Sequence, residues 1–213
     1  MLKWLHLWES KKDLQKSKKK LVAINDSNLA MVENSISEIA ITIRDFKKHN
    51  YRKHDAILNL CLFSDIAGID LTLILEKYRL ADRILERKLY ARLLSIFIID
   101  YLDNVSVLIG RDCLKELREN IHMKKFEEEF RPVHKKFSAF KTENEKLLRE
   151  IRNTTIAHRS KEALKLYDSI NNLNLENIYQ LGLELQIQIT ELTNVSNKVL
   201  FFIGNYMREG KRI

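Results

Sequence analysis

Residues 142–159 read TENEKLLREIRNTTIAHR. Thr142-Glu143-Asn144-Glu145 has the form of a capping box: the threonine hydroxyl can accept an orphan N–H, and Glu145 can reach back to the cap. Leu147, Leu148, Ile151 and Thr155 follow at helical spacing, so the run predicts one helix over 143–158. At about 100° per residue, Arg152 and His158 fall about 120° apart, on the two flanks of one face. This stretch sets an always-charged guanidinium, a carboxamide (Asn153) and an imidazole that titrates near neutrality within two helical turns.

Outward from this stretch the pattern is the same. One proline, Pro132, and five glycines in 213 residues argue against folds built on strands and tight turns. Hydrophobic residues, 45% of the chain, recur at three and four rather than at two. The chain reads as all-α, an up-down helical bundle with an N-terminal appendage that is either helical or a loose basic tail. Residues 1–26 form that appendage, 27–205 the bundle and 206–213 a basic tail.

Asp26-Ser27-Asn28 reads as a break. A helix then runs from Leu29 to about Lys48, ended by Lys47-Lys48-His49-Asn50, cations against the helix dipole and then Asn. A second runs from Asp55 to about Glu76, with Ile57, Leu58, Leu60, Cys61, Leu62, Ile66, Leu71, Leu73 and Leu75 apolar and Gly68 placed for close packing or a kink. A third spans Leu80 to about Gly110, with Leu89, Leu93, Ile96, Phe97 and Leu102 as its core face. Leu93–Ile99 is too short to cross a bilayer, and Asp100 and Asp103 follow, so no membrane span is expected. Arg111–Asn120 reads as a short helix, Pro132 as a stop for 124–131 and an opening for a helix to about Phe140. Asn171, Asn172 and Asn174 mark an irregular segment. The last helix runs from about Leu175 to about Phe202, with Ile178, Leu181, Leu185, Ile189 and Leu192 as its stripe, widened by Leu183 and Ile187. That face is wide enough for a homodimer as well as a core.

Charge narrows the partners. The net charge is +8, of which residues 1–20, with seven lysines against Glu9 and Asp13, carry +5. Trp4 and Trp8 in that segment suit either an amphipathic helix on an anionic membrane or a first helix packed on the bundle. Lys3 and His6 interrupt any signal-peptide core. Around the opening stretch, Arg149, Arg152, Arg159, Lys161 and Lys165 outnumber Glu150 and Glu162, a local attraction for a polyanion. The cysteines, Cys61 and Cys113, suggest buried thiols in a reducing, cytoplasmic setting rather than a disulfide framework. No His, Cys and carboxylate spacing suits a metal, so neither metal nor cofactor is expected.

Arg152-Asn153-Thr154-Thr155-Ile156-Ala157-His158 resembles the Arg-x(4–6)-His signature of the HEPN superfamily, all-helical domains found in many prokaryotic ribonuclease toxins. Asn153 matches the polar residue that often follows the arginine, and Ala157 matches an alanine frequent before the histidine. The resemblance implies a homodimer with paired Arg and His residues lining one shared cleft. It also implies metal-independent RNA cleavage by 2′-hydroxyl attack, in toxin or abortive-infection defence, with an antitoxin as a further partner. In that reading Arg152 holds the scissile phosphate, His158 is general acid or base, and Asn153 orients the 2′-hydroxyl or the histidine. Arg149, Thr155, Arg159 and Lys161 are then candidate substrate contacts. Ser160 stands where one HEPN branch has a tyrosine two residues after the histidine, which places the chain outside that branch. Arg44-Asp45-Phe46-Lys47-Lys48-His49 has the same bare spacing without the Asn and Ala context. Two other readings stand beside the ribonuclease: a non-enzymatic helical dimer binding a protein or nucleotide, and a membrane-associated protein using its N-terminus.

Overall fold

With so few glycines and prolines, little in the chain interrupts a helix once it starts. The computed structural model describes residues 2–51, 53–157 and 162–208, of which 2–15, 17, 21, 156 and 157 are described for backbone only. The described residues form helices α1 (Leu2–Lys48), α2 (Asp55–Leu80), α3 (Ile84–Val107), α4 (Leu114–Glu119), α5 (Glu127–Arg152), α6 (Ala163–Asn171) and α7 (Leu175–Arg208). They contain no strand. The fold is an all-α bundle: α3 packs against α2, α5 and α7, α7 also lies on α2 and α5, and α1 covers α2.

The end of α1 follows the expected chemistry in detail. Tyr51 N–H donates to the Phe46 carbonyl (2.8 Å) and Asn50 N–H to that of Lys47 (3.2 Å), while Asn50 takes φ 53°. This is a Schellman end with asparagine in the left-handed position, sealed by Phe46 against Tyr51 at 4.9 Å. The break at 26–28 is absent, because α1 runs straight through it. Its side chains grip α2 on both sides of that point: Lys18 on the Leu80 carbonyl, Asn25 on Glu76 and Ser35 on Asp65. Capping residues stop a helix only where the chain also turns; here tertiary contact holds them helical.

Other boundaries shift for similar reasons. Pro132 neither stops nor opens a helix but lies inside α5. It forfeits the bond to the Glu128 carbonyl, at a cost of about 3 kcal/mol. Complete burial of Phe130 and Phe137 just beside it, worth about 2 kcal/mol each, offsets that. Thr142 is not a cap, because its hydroxyl donates to the Ser138 carbonyl (2.9 Å) in the middle of α5. The third helix starts at Ile84, passes through a π-helical turn at Leu108–Cys113, and continues as α4. The irregular segment marked by Asn171, Asn172 and Asn174 is the turn between a short α6 and α7.

The core phase of α3 also differs. Leu94, Ile98, Ile99 and Leu102 are fully buried, whereas Leu89 and Leu93 are exposed. On α2, Ile66 and Leu73 likewise face outward. Both helices are apolar nearly all round, so spacing alone cannot choose which apolar stripe faces inward. The expected stripe of α7, Ile178 to Leu192, is buried as read, but Ile187 is exposed. Close approach falls at Gly182, where a Cβ would lie 2.7 Å from a Leu94 methyl and 2.8 Å from a Leu75 methyl. At Gly68 it would meet only ordinary contact with Ile189 at 3.7 Å.

Two stretches, by length and composition alone, are longer and more apolar than the run Leu93–Ile99 indicated. Asp55–Leu80 and the run Ile84–Glu119 are long and apolar enough to cross a bilayer, with best windows of mean hydropathy 1.8 and 1.7. In each window 44% is buried within the bundle.

Candidate functional site

The C-terminal end of α5 faces α3 with two arginines one turn apart, Arg149 and Arg152, set against two aspartates one turn apart, Asp103 and Asp100. Arg149 is engaged through two of its three nitrogens. Its Nη2 donates to both oxygens of Asp103 (2.8 and 3.0 Å) and its Nε to Glu145 (2.7 Å). Lys141 adds a third cation contact to Asp103 at 2.7 Å. Partial burial raises the Asp103 carboxyl, but hydrogen bonds from Lys141 and Arg149 outweigh this and hold it below the ordinary carboxylate range. Arg149 is therefore a strut between helices in this state.

Arg152 is held differently. Its ion pair with Asp100 spans 3.5 Å, beyond good hydrogen-bond geometry, and its side chain is 35% exposed. Among the described residues this is the one polar contact of its side chain.

Just past Arg152 the α-helix ends, and Asn153–Ala157 forms a π-helical turn. The run 143–158 is thus not one uniform helix, and the 120° offset derived from α-helical geometry does not apply. The local cause is visible. The Thr154 hydroxyl donates to the Glu150 carbonyl (2.8 Å) and the Thr155 hydroxyl to that of Ile151 (2.6 Å). Such back-bonding competes for the carbonyls of the last α turn, and the β-branched run 154–156 has low helix propensity. π turns inside helices recur at functional sites.

Asn153 is exposed on this turn, at the surface beside Arg152. Thr155 is buried, 1% exposed, with its hydroxyl spent on the backbone, so it packs rather than faces a substrate. His158, Arg159 and Lys161 lie outside the described residues. Arg44 and His49 sit on the exposed end of α1, where the backbone carbonyl of Asp45 lies 2.8 Å from His49 Nδ1.

Two concavities flank this end of α5. One, of about 610 Å³, lies between α5, α6 and the start of α7. Ile151, Leu173 and Ile178 form its apolar floor, and Glu150, Asp168, Asn172 and Asn177 stand at its rim. The other, about 400 Å³, is an apolar groove between α2 and α3 lined by Phe63, Ile66, Ile74, Leu93 and Phe97, with Asp100 at its end. The ring of Tyr101 stacks between those of Phe63 (5.4 Å) and Phe97 (6.2 Å) along it.

Among the described residues no group of His, Cys, Asp or Glu could hold a metal ion. Both cysteines are free and buried, and burial pushes the Cys61 thiol up to about 12. Asp100 and the rim of the larger cleft were not singled out from sequence. For Asp100 a signal existed: an i, i+3 acidic pair on one helix matching an i, i+3 basic pair on another. Comparison with protein-family profiles, with curated proteins and with solved structures found no match to this chain.

Proposed function

We propose that the protein is a metal-independent endoribonuclease of HEPN type that cleaves RNA by attack of a 2′-hydroxyl on the adjacent phosphodiester. The observation that carries the proposal is the contrast between the two arginines of α5. Arg149 is held by Asp103 and Glu145 through Nε and Nη2, whereas Arg152, similarly exposed, makes one loose contact at 3.5 Å with Asp100 and stands where the helix widens into the π turn. A guanidinium with spare, outward donors is what a scissile phosphate requires.

In this mechanism Arg152 leaves Asp100 for the phosphate and stabilises the charge that develops on its oxygens. His158 takes the 2′-hydroxyl proton or gives one to the leaving 5′-oxygen, and the His158 of a second copy takes the complementary role. Asn153 orients the 2′-hydroxyl or the imidazole. The products are a 2′,3′-cyclic phosphate and a 5′-hydroxyl, and the cellular role is a toxin or abortive-infection effector, with an antitoxin as its partner. A dimer is required, because one arginine and one histidine make half of such a site.

The test is cleavage of RNA by the full chain and its variants in the presence of chelator. Arg152→Ala and His158→Ala are each expected to lower the rate by orders of magnitude, since an acid–base group alone contributes ~10²–10⁴-fold. Chelator-sensitive cleavage would overturn the mechanism.

One observation favours a second reading. The apolar groove between α2 and α3 offers exposed Ile66 and Leu93 beside an aromatic stack, a surface suited to protein contact without catalysis. A dimer that binds a partner there and cuts no RNA would be a binding module.

A further inference from the structure

The cleft between α5, α6 and the first turn of α7 has a composition that a phosphate site would not. Among the described residues that line it, Glu150, Glu162 and Asp168 outnumber one cation, Lys165, a net of two negative charges. A polyanion backbone is repelled from it, although Thr154, two residues from Arg152, lies in its wall. What the cleft offers instead is an apolar floor, with Ile151 and Ile178 themselves buried, and a rim of carboxylates and carboxamides. Among the described residues the carboxylates of Glu150 and Asp168 accept no hydrogen bond and form no ion pair, and the amides of Asn172 and Asn177 are likewise unengaged. The volume of about 610 Å³ suits a nucleoside-sized group. α6 buries none of its residues, so this wall can adjust to an occupant.

We propose that this cleft is a subsite for one unstacked guanine base of an RNA strand. The proposal rests on the ribonuclease reading of the Arg152 end of α5 for its biological setting. A flat, uncharged ring fits the apolar floor, and a single base splayed from the strand presents its Watson–Crick edge to the rim. Guanine alone carries two adjacent donors on that edge, N1–H and the N2 amino group, which one carboxylate accepts together. Asp168 on α6 is the acceptor assigned to that pair, and Asn172 and Asn177 serve the remaining polar atoms. Adenine and cytosine offer a donor beside an acceptor, and uracil a donor between two acceptors, so uridine is the worst fit.

The experiment is saturation-transfer NMR with full-length protein against guanosine, adenosine, cytidine, uridine and inorganic phosphate, followed by competition titrations. Guanosine is expected to bind best and uridine worst, with phosphate not competing. Asp168→Asn removes a charge-assisted acceptor without altering any contact of the fold; it should weaken guanosine roughly tenfold or more and leave the melting temperature unchanged. In cleavage assays wild type should cut beside guanosine, and Asp168→Asn should lose that preference. Equal binding of all four nucleosides, competition by inorganic phosphate, or an unchanged guanosine affinity in Asp168→Asn would overturn the proposal. The two readings fail separately. Guanosine binding without RNA cleavage would remove the ribonuclease and leave the base site. Arg152-dependent cleavage without guanosine binding would do the reverse.

Discussion

Arg149 and Arg152 meet carboxylates one turn apart on α3, yet they do different jobs, and substitution should separate them. Arg149→Ala breaks a three-membered contact with Asp103 and Glu145 at a half-exposed site. Solvent screening keeps each such pair at about 0–1 kcal/mol, so we expect a loss of roughly 1 kcal/mol of stability by urea unfolding. Asp100→Asn removes only the loose tether of Arg152. It should leave stability within about 0.5 kcal/mol, and a change in the rate of RNA cleavage would show that the tether positions the guanidinium.

A second pair of residues gives a pH signature. Glu116 accepts the N–H groups of Ala56 (2.9 Å) and Ile57 (3.3 Å) at the start of α2. Burial dominates those bonds and pushes its carboxyl up from 4.5 to about 7. His54, fully buried at the same helix start, is pushed down by burial from 6.5 to about 4. Between pH 4.5 and 7 the folded chain holds the Glu116 proton that the unfolded chain releases, so that contribution falls as pH rises. Between pH 4 and 6.5 the unfolded chain holds the His54 proton that the folded chain excludes, so that contribution rises with pH. The two oppose each other. Glu116→Gln should leave stability rising with pH up to about 6.5, and His54→Gln should leave it falling up to about 7. Urea midpoints across pH check both slopes; identical slopes in the two variants would contradict the assignment.

At the level of elements, the two glycines make a paired test. Gly182→Ala pushes a methyl into buried Leu94 and Leu75, and overpacking of about 1–3 kcal/mol should exceed the gain of about 1 kcal/mol in helix propensity. Gly68→Ala meets only ordinary contact and should raise stability by up to about 1 kcal/mol. Melting temperatures of the two variants should move in opposite directions. This pair also marks what sequence could and could not tell. Helical period, the Lys47–Asn50 ending and the stripe Ile178–Leu192 were legible, because each is a local property of the chain. Gly182, the phase of α3 and the continuity of α1 across Asp26 were not, because neighbouring helices decide them. At the candidate site, sequence singled out Arg152 and Asn153, which stand together at the end of α5. The π turn that follows depends on threonine hydroxyls competing for carbonyls, and the cleft beside it on where α6 and α7 fall against α5.

For the whole molecule, a composite site needs two copies, and the surface offers apolar area to join them. Ile66, Leu73, Leu89 and Leu93 are exposed on adjacent helices, with Ile187 on α7. We expect a dimer by sedimentation at micromolar concentration; a monomer there would remove the shared site. The most direct measurement is end-group analysis of RNA incubated with the full chain in chelator, for wild type, Arg152→Ala and Arg44→Ala. The account expects 2′,3′-cyclic phosphate ends from wild type and Arg44→Ala and none from Arg152→Ala. Cleavage that survives in Arg152→Ala, or that is lost in Arg44→Ala instead, would contradict it.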